Sequence, residues 1–258
     1  MWLKIVVIVI LIGGFIMPHG QPDFGAYAQK KTIYGLSDMG ELAARLGSIV
    51  SYDRRGDVVW LERFNNGITN WTGAGAAGFV AEDSALESLS EGVSLRTIAP
   101  DAGAFDVSVN RHNGLPVNSR LGLEFAFLPD ENADDIILLF TIFDGLVRHY
   151  SRIRIRLDDG AIDYVNDGTG FKELFDGVNL RYDGLTWHHV KLVVDYSTSE
   201  YVRLLIDNIE YSMAGLGIWD FGVVGAPYLS TTLHQAYAGG VGAPVVHFDN
   251  VILTQNEP

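Results

Sequence analysis

Ser151-Arg152-Ile153-Arg154-Ile155-Arg156-Leu157-Asp158-Asp159-Gly160-Ala161-Ile162-Asp163-Tyr164-Val165 is the stretch that decides the fold. Side chains along an extended chain point alternately to opposite faces. Ile153, Ile155 and Leu157 therefore share one face, and Arg152, Arg154 and Arg156 share the other. A helix would mix the two sets, so this period specifies a strand with one buried face. Asp158-Asp159-Gly160 supplies turn chemistry, and Ala161 to Val165 returns as the second arm of a hairpin.

The same signals recur on both sides. Val58 to Phe64 runs into the turn Asn65-Asn66-Gly67. Leu121, Leu123, Phe125 and Phe127 alternate with Gly122, Glu124 and Ala126. Ile136 to Phe143 is almost continuously apolar, which predicts a strand covered on both sides. Trp187 to Asp195 and Tyr201 to Ile206 are joined by the turn Tyr196-Ser197-Thr198-Ser199. Asp207-Asn208 turns into Ile209-Glu210-Tyr211, and Val245 to Leu253 closes the series. About ten to twelve short strands at close spacing predict an all-β sandwich or barrel. The exception is Ser37 to Gly47, where Asp38 and Glu41 cap Leu42-Ala43-Ala44-Arg45-Leu46 and Gly47 stops it, predicting one short helix.

Composition agrees. Of 258 residues 48% are hydrophobic, enough for a packed core, and 29 glycines suit many tight turns. The chain has no cysteine, which excludes disulfides, thiolate catalysis and cysteine-bound zinc. Its net charge of −14 repels phosphate backbones and disfavours nucleic acid as a partner.

The first residues admit two readings. Ile5 to Ile16 is an apolar run after Lys4, shorter than the ~20 residues of a membrane span, so no transmembrane segment is expected in the mature protein. It fits the apolar region of a secretory signal, with Ala26-Tyr27-Ala28 as the cleavage site. Alternatively, Gly13-Gly14 before Met17 reads as a translated ribosome-binding site, making Met17 the start. The first makes the protein secreted or surface-bound, the second virion-borne or cytoplasmic. The expected organisation is a leader or mis-start at 1–28, an arm with the short helix at 29–56, and a β-sandwich domain at 57–258.

Two stretches resemble known families. Trp187-His188-His189-Val190-Lys191-Leu192-Val193-Val194-Asp195 with Tyr201 to Asn208 is similar to the paired back-sheet strands of concanavalin A-like and laminin-G-like jelly rolls. Glu62-Arg63-Phe64-Asn65-Asn66-Gly67 with Asn70-Trp71, and His247-Phe248-Asp249-Asn250-Val251-Ile252-Leu253, resemble the first and last strands of bacterial carbohydrate-binding modules. The resemblance implies an antiparallel jelly-roll β-sandwich behind a short helical arm. It also implies a non-catalytic module, either glycan-binding or a subunit of a homo-oligomeric surface or virion assembly. In the resembling modules a structural calcium lies between the first and last strands, which implicates Glu62 and Asp249 with Asp83 as a third ligand. The other reading of Asp249 is a metal-free cap on the last strand.

A sugar site needs exposed rings to stack on pyranose faces, with polar groups for the hydroxyls. Trp71, Tyr164, Trp219, Tyr228 and Tyr237 lie in or beside glycine-rich loops and are the candidates, whereas Trp60 and Trp187 are expected in the core. Arg152, Arg154 and Arg156 are either a solvated face paired with carboxylates or a site for an anionic ligand. His188 and His189 point to opposite faces and do not chelate one ion, so one inward and one surface histidine are expected. A glycoside hydrolase of this fold is the enzymatic alternative, but the paired carboxylates it requires do not occur as a local run.

Overall fold

The computed structural model describes residues 55–89, 92–100, 105–116, 119–237 and 242–258. They form sixteen strands, and no helix occurs among them. In chain order these are β1 Asp57–Glu62, β2 Thr72–Gly75, β3 Val80–Ser84, β4 Ser94–Ile98, β5 Phe105–Asn113, β6 Arg120–Pro129, β7 Asp135–Phe143 and β8 Val147–Arg156. There follow β9 Ala161–Tyr164, β10 Lys172–Phe175, β11 His188–Asp195, β12 Glu200–Ile206, β13 Ile209–Ser212, β14 Trp219–Gly222, β15 Tyr228–Tyr237 and β16 Val245–Gln255. The count exceeds the sequence expectation because four-residue edge strands such as β2, β10, β13 and β14 are too short to show a period. The leader, and the helix expected near residues 37–47, lie outside the described residues. No helix among the described residues is long and apolar enough to cross a membrane.

The strands make two antiparallel sheets. The first runs β13-β12-β11-β6-β16-β4-β3, with β1 also on β16; the second runs β10-β9-β8-β7-β15-β5-β2, with β14 also on β8. Strands distant in sequence are neighbours at the centre of both, which is the jelly-roll arrangement. The resembling stretches pair as expected: β11 lies beside β12, and β1 lies beside β16 with Glu62 opposite Val251.

Alternation explains which faces meet. Leu121, Leu123, Phe125 and Phe127 on β6 are fully buried with Val190, Leu192 and Val194 of β11. Against them pack Ile136, Leu138 and Phe140 of β7 and Ile153 and Ile155 of β8. Each such side chain contributes roughly 1.5–3 kcal/mol by leaving water. Polar links also cross this core. Thr97 Oγ1 donates to Gln235 Oε1 at 3.1 Å, joining β4 to β15. Tyr201 reaches from β12 to the second sheet, where its hydroxyl donates to the Val165 carbonyl at 2.7 Å and accepts from Arg152 N at 2.9 Å. That contact sits where β8 passes from pairing with β9 to pairing with β14.

The outer face of the first sheet carries a sealed ionic cluster instead of solvated side chains. Buried Glu257 accepts Lys191 Nζ at 2.7 Å and Arg203 Nη2 at 2.6 Å, and Thr254 Oγ1 donates to it at 2.5 Å. Gly122 makes room for it: a Cβ there would lie 2.9 Å from both Glu257 Oε1 and Lys191 Cε.

Candidate functional site

The outer face of the second sheet is built from register. Residues opposite one another in neighbouring strands share a face, so four rows can be read across it. Arg148 of β8 is level with Phe143 of β7 and Tyr228 of β15. Tyr150 is level with Thr141, Ser230 and His112. Arg152 is level with Leu139, Thr232 and Asn110. Arg154 is level with Asp163 of β9 on one side, and with Ile137 and His234 on the other.

The rows differ in chemistry. At one end β14 brings Trp219 opposite Tyr150 and Phe221 opposite Arg148. Trp219 packs on Phe221 with ring centres 4.5 Å apart and meets Tyr150 edge-on at 5.5 Å. Tyr228 touches Phe143 at 5.5 Å and His112 at 5.3 Å. The Arg148 guanidinium lies over Phe143, Phe221 and Tyr228 at 5.7, 5.4 and 5.8 Å. Tyr150, Trp219, Phe221 and Tyr228 are all half-buried, so each keeps ring surface toward solvent. In the middle Thr141, Ser230 and Thr232 place hydroxyls between these rings and the arginines, and Thr232 donates to Asn110 Oδ1 at 2.5 Å.

At the other end the arginines are neutralised. Arg154 Nε donates to Asp163 at 2.7 Å, and its Nη1 lies 3.7 Å from Asp135. Arg156 pairs with Asp159, with Asp163 at 3.2 Å and with Glu173 at 2.9 Å. Burial, reinforced by Asp134, Asp158 and Asp163, raises Asp135 to about 6 although Arg154 opposes the shift. The ring of Phe171 lies against both Arg152, at 4.6 Å, and Arg154, at 4.2 Å.

The residues expected from sequence fall in different places. Trp219 and Tyr228 are on this face. Trp71 and Tyr164 are not: they are only 6% and 9% exposed and belong to the core, Trp71 packed on Phe64 and Tyr164 on Tyr201. Tyr237 ends β15, and its side chain lies outside the described residues. Trp60, expected in the core, is half-buried beneath the Arg111 guanidinium at 4.3 Å. Arg152, Arg154 and Arg156 share the face as expected, but only the last two have carboxylate partners among the described residues. Sequence reasoning did not find Arg148, Tyr150, Phe171 or Phe221.

Of the three carboxylates expected to bind calcium, Glu62 and Asp249 accept from protein donors. Glu62 accepts Arg111 at 2.8 Å and Phe64 N at 3.1 Å. Buried Asp249 accepts Leu89 N at 3.0 Å and Ser88 Oγ at 3.3 Å on one oxygen, and Asn250 N at 2.7 Å on the other. Asp83 is exposed beside Gly67. Among the described residues no group of three His, Asp or Glu could hold a metal ion. Neither His188 nor His189 is a surface residue. His188 Nδ1 lies 2.9 Å from Asp207 and Nε2 lies 2.8 Å from the Arg181 carbonyl. Burial pushes His189 down to about 4.

One further cluster has the residue types of a hydrolytic triad without its geometry. His149 Nδ1 lies 2.9 Å from Asp220, but Ser199 Oγ donates to the same carboxylate at 2.5 Å. A triad needs the hydroxyl on the imidazole nitrogen remote from the carboxylate, so that the ring can take its proton.

No family model matches this chain, and no curated protein resembles it in sequence. Its fold does match solved structures. The endo-β-1,4-glucuronan lyase of the fungus Trichoderma reesei superposes with a TM-score of 0.58 at 12% identity, covering 78% of this chain and 96% of that one. The cellulose-induced protein Cip1 gives 0.49 at 10%, covering 76% and 96%. The lectin UEA-II, in complex with galactose, gives 0.48 at 10%, covering 78% and 100%. At 12% identity the likeness to the lyase is one of fold, the antiparallel jelly-roll β-sandwich described above.

Proposed function

We propose that this chain is a non-catalytic carbohydrate-binding module, with the outer face of the second sheet as the glycan site. The observation that carries this reading is the half-exposed ring surface made by Tyr150, Trp219 and Phe221. Half-exposed rings match the C–H faces of pyranoses. Binding rather than turnover is favoured by the fate of the carboxylates on this face. Asp135, Asp159, Asp163 and Glu173 are gathered at one end on Arg154 and Arg156, whereas glycoside hydrolysis needs two carboxylates opposed across the scissile bond.

The test is affinity electrophoresis through gels of soluble polysaccharides, run beside reducing-sugar and unsaturated-product assays and light scattering. Retardation without product formation is expected, and replacing Trp219 with Ala should abolish it. Product release would make the protein an enzyme. A large assembly with no retardation on any polysaccharide would replace glycan binding by a structural role.

A further inference from the structure

We infer that the ligand is an acidic polysaccharide, whose repeated negative charges are met by Arg148 and Arg152 on either side of Tyr150. This rests on the glycan-binding reading and adds the chemical class. Four arginines project from β8 on the outer face, and they divide into two pairs. Arg154 and Arg156 are held by Asp135, Asp159, Asp163 and Glu173. The guanidiniums of Arg148 and Arg152 have no hydrogen-bond or carboxylate partner among the described residues, and the Nε of each is buried without one. Both are held instead by rings: Arg148 among Phe143, Phe221 and Tyr228, and Arg152 against Phe171.

In a chain with 32 acidic and 18 basic residues, a guanidinium left without a counter-ion departs from the local rule. The adjacent pair shows that carboxylates are readily supplied on the same strand. Positions four apart on a strand are separated by about 13 Å, and the two guanidiniums are packed on different rings, which keeps them from converging on one small anion. A polymer with charge on successive sugars can engage both while its ring faces meet Tyr150 and Trp219. The planar fork of arginine suits carboxylate or sulfate oxygens. The overall negative charge acts mainly at long range, where salt screens it within about 8 Å.

The experiment is the same electrophoresis with matched polymers: polygalacturonate, its carboxyl-reduced neutral form, dextran sulfate and poly(dT). The full chain should be retarded by polygalacturonate at least about tenfold more strongly than by the reduced polymer, as expected for charge-assisted hydrogen bonds. Dextran sulfate should also bind, poly(dT) should not, and retention should fall with added salt. Replacing Arg148→Gln and Arg152→Gln together should remove the preference, the Arg148→Lys and Arg152→Lys pair should keep most of it, and Arg181→Gln, an exposed charge elsewhere, should change nothing. If the Gln pair does not fold, the polymer comparison on the parent and the Lys pair still decide the matter. Equal binding of the neutral polymer, unaltered by the Gln pair, would overturn this inference and leave the glycan-binding reading standing. Poly(dT) bound as tightly as polygalacturonate would also overturn it, by making any polyanion a ligand. Retention by no polysaccharide, acidic or neutral, would overturn both.

Discussion

Replacing Glu257 with Gln removes one charge from between two buried cations while keeping the side chain's shape. In the parent its carboxylate holds Lys191 at 2.7 Å and Arg203 at 2.6 Å, and all three side chains are at most 5% exposed. Water therefore cannot take over when the charge is lost. Removing one member of a buried ion pair costs roughly 3–5 kcal/mol, and the retained amide oxygen can still accept from Thr254, so the lower end, about 3 kcal/mol, is expected. For a domain of this size each kcal/mol lowers the melting temperature by roughly 2–4 °C, giving a fall of about 6–12 °C. Urea unfolding followed by tryptophan fluorescence should show the midpoint lowered with the slope unchanged, which marks a change in stability alone. A loss below about 1 kcal/mol would refute the reasoning, because it is the value of a solvent-exposed pair. The outer face of the first sheet would then be open to water.

Other consequences follow from the same packing. His189 and His247 have folded values near 4, set chiefly by burial. The unfolded chain takes up protons there first, so stability is full above pH 6.5 and falls toward pH 4, by roughly 3 kcal/mol for each histidine. Asp135, raised to about 6, works the other way and regains part of that loss on acidification. Urea midpoints at pH 7 and 4.5, measured on the parent and on His189→Gln, isolate the histidine contribution, and an equal fall in both would mean that the His189 imidazole titrates in solvent. Gly122→Ala should destabilise by about 1–3 kcal/mol through overpacking, read as a lower melting temperature; an unchanged value would mean that the ionic cluster yields freely. Trp219→Ala should abolish glycan retention and leave the urea midpoint within about 1 kcal/mol of the parent, since Trp219 is half-exposed on a four-residue edge strand.

The sandwich was legible because its central strands obey period two without interruption. Ile153, Ile155 and Leu157 announce β8 from its second half, and Leu121 to Phe127 announce β6. The site was less legible, for a reason visible in β8 itself. Its first half places His149 inward, hydrogen-bonded to Asp220 and edge-on to Tyr196, where the pattern calls for an apolar residue. With the alternation broken there, Arg148 and Tyr150 could not be assigned to the face that carries Arg152. Trp71 was misplaced for a different reason. The Gly-Ala segment after it leaves β2 exposed, while its own side chain turns inward onto Phe64. Proximity to glycines reports where the backbone turns, not where a ring points. Glu62 could not be read as a partner of Arg111 either, because the two meet only after folding across 49 positions.

The most direct measurement is a titration of protein carrying 5-fluorotryptophan with galacturonate oligosaccharides, followed by fluorine NMR. The Trp219 resonance, assigned by its loss in Trp219→Phe, should shift with saturable dependence on ligand, while those of Trp60 and Trp71 stay in place. Shifts confined to Trp60 or Trp71, or none at saturating ligand, would contradict binding of acidic glycans on the outer face of the second sheet.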